Sequence, residues 1–378
     1  VKASKKGQVV HVKRRLSILV WILVLVLIAA HTALAQGAVT GTVTAVDKYG
    51  NAILDLITQT LLDSGFEFGD VISIEVPGAT LEAPFVTAYS EVEVGRALVR
   101  GPGGEAAANV ILAINMGSFA QTYGVEEGTL VVLSLAEKAG SLGIILPERV
   151  SSADTDEEFA NFREVTAGSM GRGTFYRSSS PVNNELGRAA CAGLLVEAAG
   201  IKTVINLADS REELESYFTQ PDFASQYYRE LYEQGQVIAL GMGVNYRALE
   251  FQAKLKEGLE FLLANEGPFL IHCNEGKDRA GFAAALLEAL VGATVQEIKE
   301  DYMLSYVNYY AIEYGSELYE KIAESNILAT LGDLAGLPQG ASLEGVDLSR
   351  AAEGYLASIG LSAEQIELLK AKLTTDTK

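Results

Sequence analysis

Residues 269–291 set the strongest constraint on how this chain folds. Phe269-Leu-Ile-His272 reads as a buried strand, a seven-residue loop opened by Cys273 and closed by Arg279 follows, and Ala280 to Val291 reads as a long apolar helix. A strand and a helix that are both largely apolar need cover from neighbouring elements, and the flanking sequence supplies them. Thr203 to Leu207 and Gln236 to Leu240 read as further buried strands, with helices expected over Glu185 to Ala199 and Ala248 to Asn265. Strands alternating with helices predict an α/β fold, a sheet flanked by helices.

The pattern is different from Ala38 to about Leu146. There Val39-Thr-Gly-Thr-Val-Thr-Ala-Val46 alternates, Asp47-Lys-Tyr-Gly-Asn51 makes a turn, and Ala52-Ile-Leu-Asp-Leu56 resumes the alternation. Further strands are expected over Val71 to Val76, Glu91 to Val99, Val110 to Asn115 and Leu130 to Leu135, with turns at Gly101-Pro-Gly-Gly104 and Glu126-Glu-Gly128. This predicts a separate N-terminal small β-barrel or sandwich domain. The glycine turn lacks the Lys-Ser/Thr pair and the following helix of a nucleotide phosphate loop, so it reads as a hairpin turn. Polar Ser151-Ser-Ala-Asp-Thr-Asp-Glu157 marks the boundary to the α/β part. The tail holds Ser349 to Ile359 and a helix opened by the capping box Ser362-Ala-Glu-Gln365. The expected division is a leader at 1–35, a β domain at 36–150, the α/β domain at 151–340 and C-terminal helices at 341–378.

The leader is expected because Lys2, Lys5, Lys6, Lys13, Arg14 and Arg15 precede the apolar run Leu16 to Ala30, and Ala33-Leu-Ala35 offers a small-residue cleavage site. Such a start implies an extracytoplasmic protein, secreted after cleavage or anchored by its N-terminus. Taking its six basic residues from 29 leaves 23 against 49 acidic ones. So acidic a body disfavours nucleic acid and anionic membranes as partners, and a phosphate site within it must build its own positive potential. Two of the three histidines, His11 and His31, lie in the leader, which leaves His272 with Cys191 and Cys273. One histidine and two cysteines cannot form a four-ligand metal cage or a disulfide framework, so no metal and no cofactor are expected.

The loop itself carries the chemistry. In a strand–loop–helix turn, loop N–H groups and the helix N-terminus converge on one anion, and the same field lowers the pKa of a thiol placed there. Cys273 is thus expected to be a thiolate able to attack phosphorus, and Arg279 to hold two phosphoryl oxygens with its planar fork. Asn274, Glu275, Gly276 and Lys277 complete the expected substrate-binding loop, glycine permitting the tight backbone and Lys277 widening the positive pocket. His272 faces away from its neighbour on an extended strand, so it is expected to hold the loop from behind rather than act as a protease base.

His272-Cys-Asn-Glu-Gly-Lys-Asp-Arg279 resembles the active-site signature of cysteine-based protein tyrosine phosphatases, and its Gly-Lys-Asp-Arg resembles the bacterial tyrosine and phosphoinositide phosphatase branch. The resemblance runs from Phe159-Ala-Asn-Phe-Arg163 through Phe175-Tyr-Arg-Ser-Ser-Ser-Pro181 and Val204-Ile-Asn-Leu207 to the tyrosines between Tyr302 and Tyr319. It implies a tyrosine-phosphatase-like sheet and hydrolysis of phosphate monoesters through a phosphocysteine intermediate. Val46-Asp-Lys-Tyr-Gly-Asn-Ala-Ile53 and Met116-Gly-Ser-Phe119 more weakly resemble the small C-terminal barrel of S-adenosylmethionine hydroxide adenosyltransferases. Nothing resembles the larger first domain of those enzymes, so their activity is not expected here.

Two positions depart from the phosphatase pattern. Ala280 stands where a Ser or Thr hydroxyl would steady the departing thiolate, and Gly241-Met-Gly-Val-Asn-Tyr246 lacks the acid of the usual Trp-Pro-Asp loop. Asp278 is the first candidate for the acid, with capping of the next helix as its other reading. Asp209, at the end of a strand, can equally cap a helix at Arg211, and Asp222 in Gln220-Pro-Asp-Phe223 reads as surface loop. Cys191 reads as a core thiol rather than a redox partner for Cys273, and the tyrosines at 302, 306, 309, 310 and 314 as a packed helix face. Phosphotyrosine protein is the expected substrate, with phosphoinositides or inositol phosphates as the alternative. The other reading is a phosphate-binding module that no longer turns over. The β domain is left to position the enzyme or to bind an unknown partner.

Overall fold

The computed structural model describes residues 38–102, 108–137, 144, 146–338 and 340–377. The leader at 1–35 and the second half of the glycine turn at 101–104 lie outside the described residues. Strands β1 (Val39–Val46), β2 (Ala52–Ile57), β3 (Val71–Val76), β4 (Ala79–Val86), β5 (Ala97–Arg100), β6 (Asn109–Ile114) and β7 (Leu130–Glu137) close into a barrel in the order β1-β2-β6-β5-β4-β3-β7. Closure, rather than a sandwich, removes the sheet edges. Inward residues such as Val43, Leu54, Ile72, Phe85, Leu112 and Val131 fill the barrel.

Two strands differ from the sequence pattern. Glu91 to Val99 is expected as one strand, but Glu91 turns back to accept the amide N–H groups of Thr87 and Ala88, and Gly95 takes a positive φ of 84°. Only Ala97–Arg100 then pairs, antiparallel to β6. The unexpected strand is β4. Its Glu82 and Pro84 are weak strand formers, and it is held by antiparallel pairing with β3 across the turn at Gly78.

The second part is a five-stranded sheet ordered β11 (Val237–Ala239), β10 (Thr203–Asn206), β12 (Phe269–His272), β9 (Phe175–Ser178), β8 (Arg163–Glu164). The first four are parallel, and β8 adds an antiparallel edge. Side chains alternate across it. Phe175, Ile205, Phe269 and Ile271 enter one core, while Tyr176, Val204 and Leu270 enter the other. Helices α1 (Ala189–Ala198), α2 (Arg211–Tyr217) and α3 (Gln226–Glu233) contribute to the second of these cores. The first is covered by α4 (Leu249–Ala264), α5 (Arg279–Leu290), α6 (Val295–Tyr310), α7 (Glu317–Ala323), α8 (Leu348–Ser358) and α9 (Ala363–Leu373). Every residue of α5 is buried, as its apolar sequence requires. The tail helices add Leu348, Leu356, Ile366, Leu369 and Leu373 to that same core.

The barrel is joined to the sheet region by specific polar contacts. Residues Glu324–Leu328 form one π-helical turn, and there the buried Asn326 donates to the carbonyl of Ser90 at 3.2 Å and accepts from Asn115 at 3.3 Å. Val94 N–H reaches the Ser325 carbonyl at 3.2 Å. Asn326→Ala would leave the Ser90 carbonyl without this donor in a buried seam. We expect a loss of about 1–2 kcal/mol in denaturant unfolding, with the barrel and sheet transitions moving apart.

Candidate active site

The parallel strands β9, β10, β11 and β12 all deliver loops to the same C-terminal edge, where α/β sheets bind ligands. At the end of the central strand β12 lies Cys273, 3% exposed, and the loop from it ends where α5 begins at Arg279. Four consecutive loop carbonyls are held outward. Ser180 N–H donates to Asn274 at 3.0 Å, Asn161 Nδ2 to Glu275 at 3.0 Å, and Arg177 Nη2 to Gly276 at 2.7 Å and Lys277 at 3.3 Å. In a trans peptide the N–H points opposite to the C=O. The amides of Glu275 to Asp278 therefore turn inward, and among the described residues none of them has a protein acceptor.

Gly276 makes this path possible. Its φ is +69°, and a Cβ there would lie 2.2 Å from the Ser178 carbonyl oxygen. Behind the loop, fully buried Arg177 pairs with Asp301, which also accepts Arg163 Nε at 2.7 Å. Burial alone would raise the Asp301 carboxyl, but the guanidiniums of Arg163 and Arg177 hold it well below the usual range. Burial, reinforced by Asp301, pushes the neighbouring Glu288 carboxyl well above its usual value. Two guanidiniums against one carboxylate leave the back of the loop positive, in a chain of formal charge −20.

Arg279, also buried, donates from Nη1 to the carbonyls of Met242 at 3.0 Å and Ala208 at 3.4 Å, and its Nε has no acceptor. An oxyanion over Cys273 would meet the inward amides and that free edge, the geometry that stabilises a negatively charged tetrahedral or trigonal-bipyramidal centre. Lys277 departs from its expected place in a widened pocket. It is buried between Glu275 (3.3 Å) and Asp278 (3.4 Å), with its ammonium 5.1 Å from the Tyr306 ring. Although burial opposes ionisation, Lys277 and Arg149 hold the Glu275 carboxyl below its usual range. Asn274 keeps its side-chain Oδ1 buried without a partner.

His272 is fully buried, its Nε2 2.9 Å from the Tyr228 hydroxyl. Burial pushes the imidazole down to about 3, so it stays neutral at ordinary pH. The three candidate acids separate clearly. Asp278 sits at the N-cap position of α5 but makes no side-chain cap bond, and its side chain is 41% exposed. Asp209 does not cap α2, because Ser210 does so in a capping box with Glu213. Its buried carboxylate accepts from Asn206 at 3.0 Å and Tyr217 at 3.4 Å. Asp222 is an exposed residue bonded to Asn184 at 2.8 Å. Both Asp278 and Asp209 lie within electrostatic reach of Arg279.

Cys191 is partly exposed rather than a core thiol. Its Sγ donates to the Asp156 carbonyl, and it packs on the opposite face of the sheet from Cys273. Tyr302, Tyr306, Tyr309 and Tyr310 pack inward from α6, whereas Tyr314 lies beyond its end, exposed. Sequence reasoning missed Asn161, Asp301 and Glu288 and gave Arg177 no bracing part. The available signal was a charge inside an apolar element: Arg177 in Phe-Tyr-Arg-Ser and Glu288 within the helix Ala280 to Val291.

The sequence pattern of the tyrosine phosphatase family matches residues 157–375, and that of the SAM hydroxide adenosyltransferase C-terminal domain matches residues 41–132. A tyrosine-protein phosphatase from Nostoc commune is 33% identical over 134 residues, covering 32% of this chain and 45% of that protein, so the match spans less than half of the relative's length. Among solved structures, the core catalytic domain of the PP-IP phosphatase SIW14 from S. cerevisiae in complex with citrate is 22% identical, covering 50% of this chain and 94% of that one, with a TM-score of 0.26. An uncharacterized conserved protein from Thermotoga maritima is 27% identical over 27% of this chain and 37% of that one, with a TM-score of 0.25.

Gly276→Ala forces a side chain into the Ser178 carbonyl at positive φ. It is expected to lower stability by about 2–3 kcal/mol and to displace the inward amides, read as weakened binding of inorganic phosphate by calorimetry. His272 yields a pH test. Its folded value near 3 lies below the ordinary 6.5, so between those values the unfolded chain binds more protons and stability falls as pH drops. Denaturant unfolding between pH 6.5 and 4 should lose about 1.4 kcal/mol per pH unit more in wild type than in His272→Asn.

Proposed function

This chain belongs to the tyrosine phosphatase family, and from that premise we propose that it is a cysteine-dependent phosphatase that hydrolyses phosphate monoesters, with protein phosphotyrosine as its main substrate. The observation that carries this reading is the ring of four outward carbonyls, which turns the loop amides toward Cys273 beside the unpaired Nε of Arg279. In the first step the Cys273 thiolate forms a bond to phosphorus as the bond to the leaving oxygen breaks, and that oxygen takes a proton from Asp278. In the second, water attacks phosphorus and gives its proton to the Asp278 carboxylate. The S–P bond breaks and inorganic phosphate and the thiolate are regenerated.

Asp278 is favoured as the acid because its side chain reaches solvent for reprotonation and is free of capping duty, whereas Asp209 is enclosed and hydrogen-bonded. A single phosphate is favoured over polyphosphorylated inositols because the charge of buried Lys277 is met by the Glu275 carboxylate at 3.3 Å. A specific observation favours one second reading, a phosphate-binding module that does not turn over: buried Ala280 offers no hydroxyl for the second step. An extracytoplasmic location is part of the proposal and rests on the basic and apolar residues at 2–30. The barrel remains free in this reading to engage a further partner.

Cys273→Ser should abolish release of phosphate from a phosphotyrosine peptide while oxyanion binding survives; an active variant would remove the thiol from the mechanism. A single burst without steady state in wild type would support the binding module instead. Asp278→Asn should slow phosphotyrosine by about 10²–10³-fold and an activated aryl phosphate far less. Equal losses on both esters would assign Asp278 to loop support.

A further inference from the structure

The turn between β1 and β2 belongs to the barrel, yet it ends at the phosphatase loop. The ring of Tyr49 lies 5.4 Å from the guanidinium carbon of Arg279. One residue earlier, Lys48 forms a 3.0 Å ion pair with Glu213, the capping-box glutamate of α2 just beyond Asp209. The turn is braced. The Asp47 carboxylate accepts from Tyr49 N–H at 2.8 Å, Asn51 N–H at 2.9 Å and Asn51 Nδ2 at 2.9 Å. Gly50, at a φ of +80°, sits so close to the barrel that a Cβ there would lie 2.0 Å from Ser118 Oγ. Tyr49 is therefore carried by a fixed support.

The other constraints on Arg279 come from the sheet. Nη1 is bonded to two backbone carbonyls, and the buried Nε has no acceptor. A planar guanidinium with one corner bonded and its carbon over an aromatic ring is restrained in orientation, and the Nε edge is left for an anion. We propose that Tyr49 is a positioning residue of the phosphate pocket: the barrel supplies the ring that orients Arg279, so the oxyanion site is composite and the barrel is part of it. The inference rests on Cys273 and Arg279 being the phosphate-binding pair.

The test uses the full chain with Tyr49→Ala, Tyr49→Leu and Tyr49→Phe, read by p-nitrophenyl phosphate kinetics and by calorimetric binding of tungstate. Leucine keeps apolar bulk without a π face, and phenylalanine keeps the face without the hydroxyl. Ala and Leu should raise KM and the tungstate dissociation constant by about tenfold with kcat within about threefold, and Phe should restore both. Wild-type values in Tyr49→Leu would overturn the proposal, as would a Phe variant as defective as Ala. Cys273→Ser, run alongside, separates the two levels. If it stays active the cysteine-dependent reading fails, and if it is inactive while Tyr49→Ala binds tungstate normally, only the composite pocket fails. Tungstate affinity is read whether or not the protein turns over.

Discussion

The site depends on carbonyl groups pulled the wrong way for an ordinary turn. A loop of this length between a strand and a helix would satisfy some of its amides internally. Here Ser180, Asn161 and Arg177 take the carbonyls of residues 274–277 from outside, and the amides are left facing one point above Cys273. Arg177 takes two of the four, because a guanidinium can serve two carbonyls and a carboxylate at once. Its burial would be costly alone, and Asp301 offsets that cost while Arg163 holds Asp301 from the other side.

The same network answers an electrostatic problem posed by the whole chain. With 49 acidic residues against 29 basic ones, the mean field repels a phosphate. Burial in a low-dielectric interior lets a few fixed charges dominate locally, and here they include Arg163, Arg177 and Arg279, while burial pushes the Glu288 carboxyl upward. Lys277 adds less than its sequence position implies, since Glu275 and Asp278 compensate it. The result is a small positive site suited to one phosphoryl group.

The barrel touches this site at two separate places. Its β1–β2 turn reaches Arg279 through Tyr49, and the segment that leaves the barrel brings Arg149 to Glu275 within the loop. With the seam at Asn115 and Asn326, these contacts join the barrel to the sheet region. Two sequence patterns of unrelated families thus meet at one pocket.

The sequence alone determined the parts whose physics is local. The apolar runs 269–272 and 280–291 specify a buried strand and helix, alternation specifies the barrel strands, and Cys273, Gly276 and Arg279 declare the loop by their spacing. β4 and the shortened β5 escaped because pairing with distant strands, not propensity, decides them. For the same reason the surroundings of the acid candidates are decided only in space: Ser210 displaced Asp209 from the cap and Asn184 bonds Asp222 at the surface. Asn161, Tyr49 and Arg149 reach the loop across more than a hundred residues of chain, and Asp301 braces Arg177 across 124. No local pattern encodes such contacts. Only the folding of the barrel and α6 against the sheet brings these side chains within a few ångströms of the loop, because side-chain reach is short and the order of the chain is not the order of space.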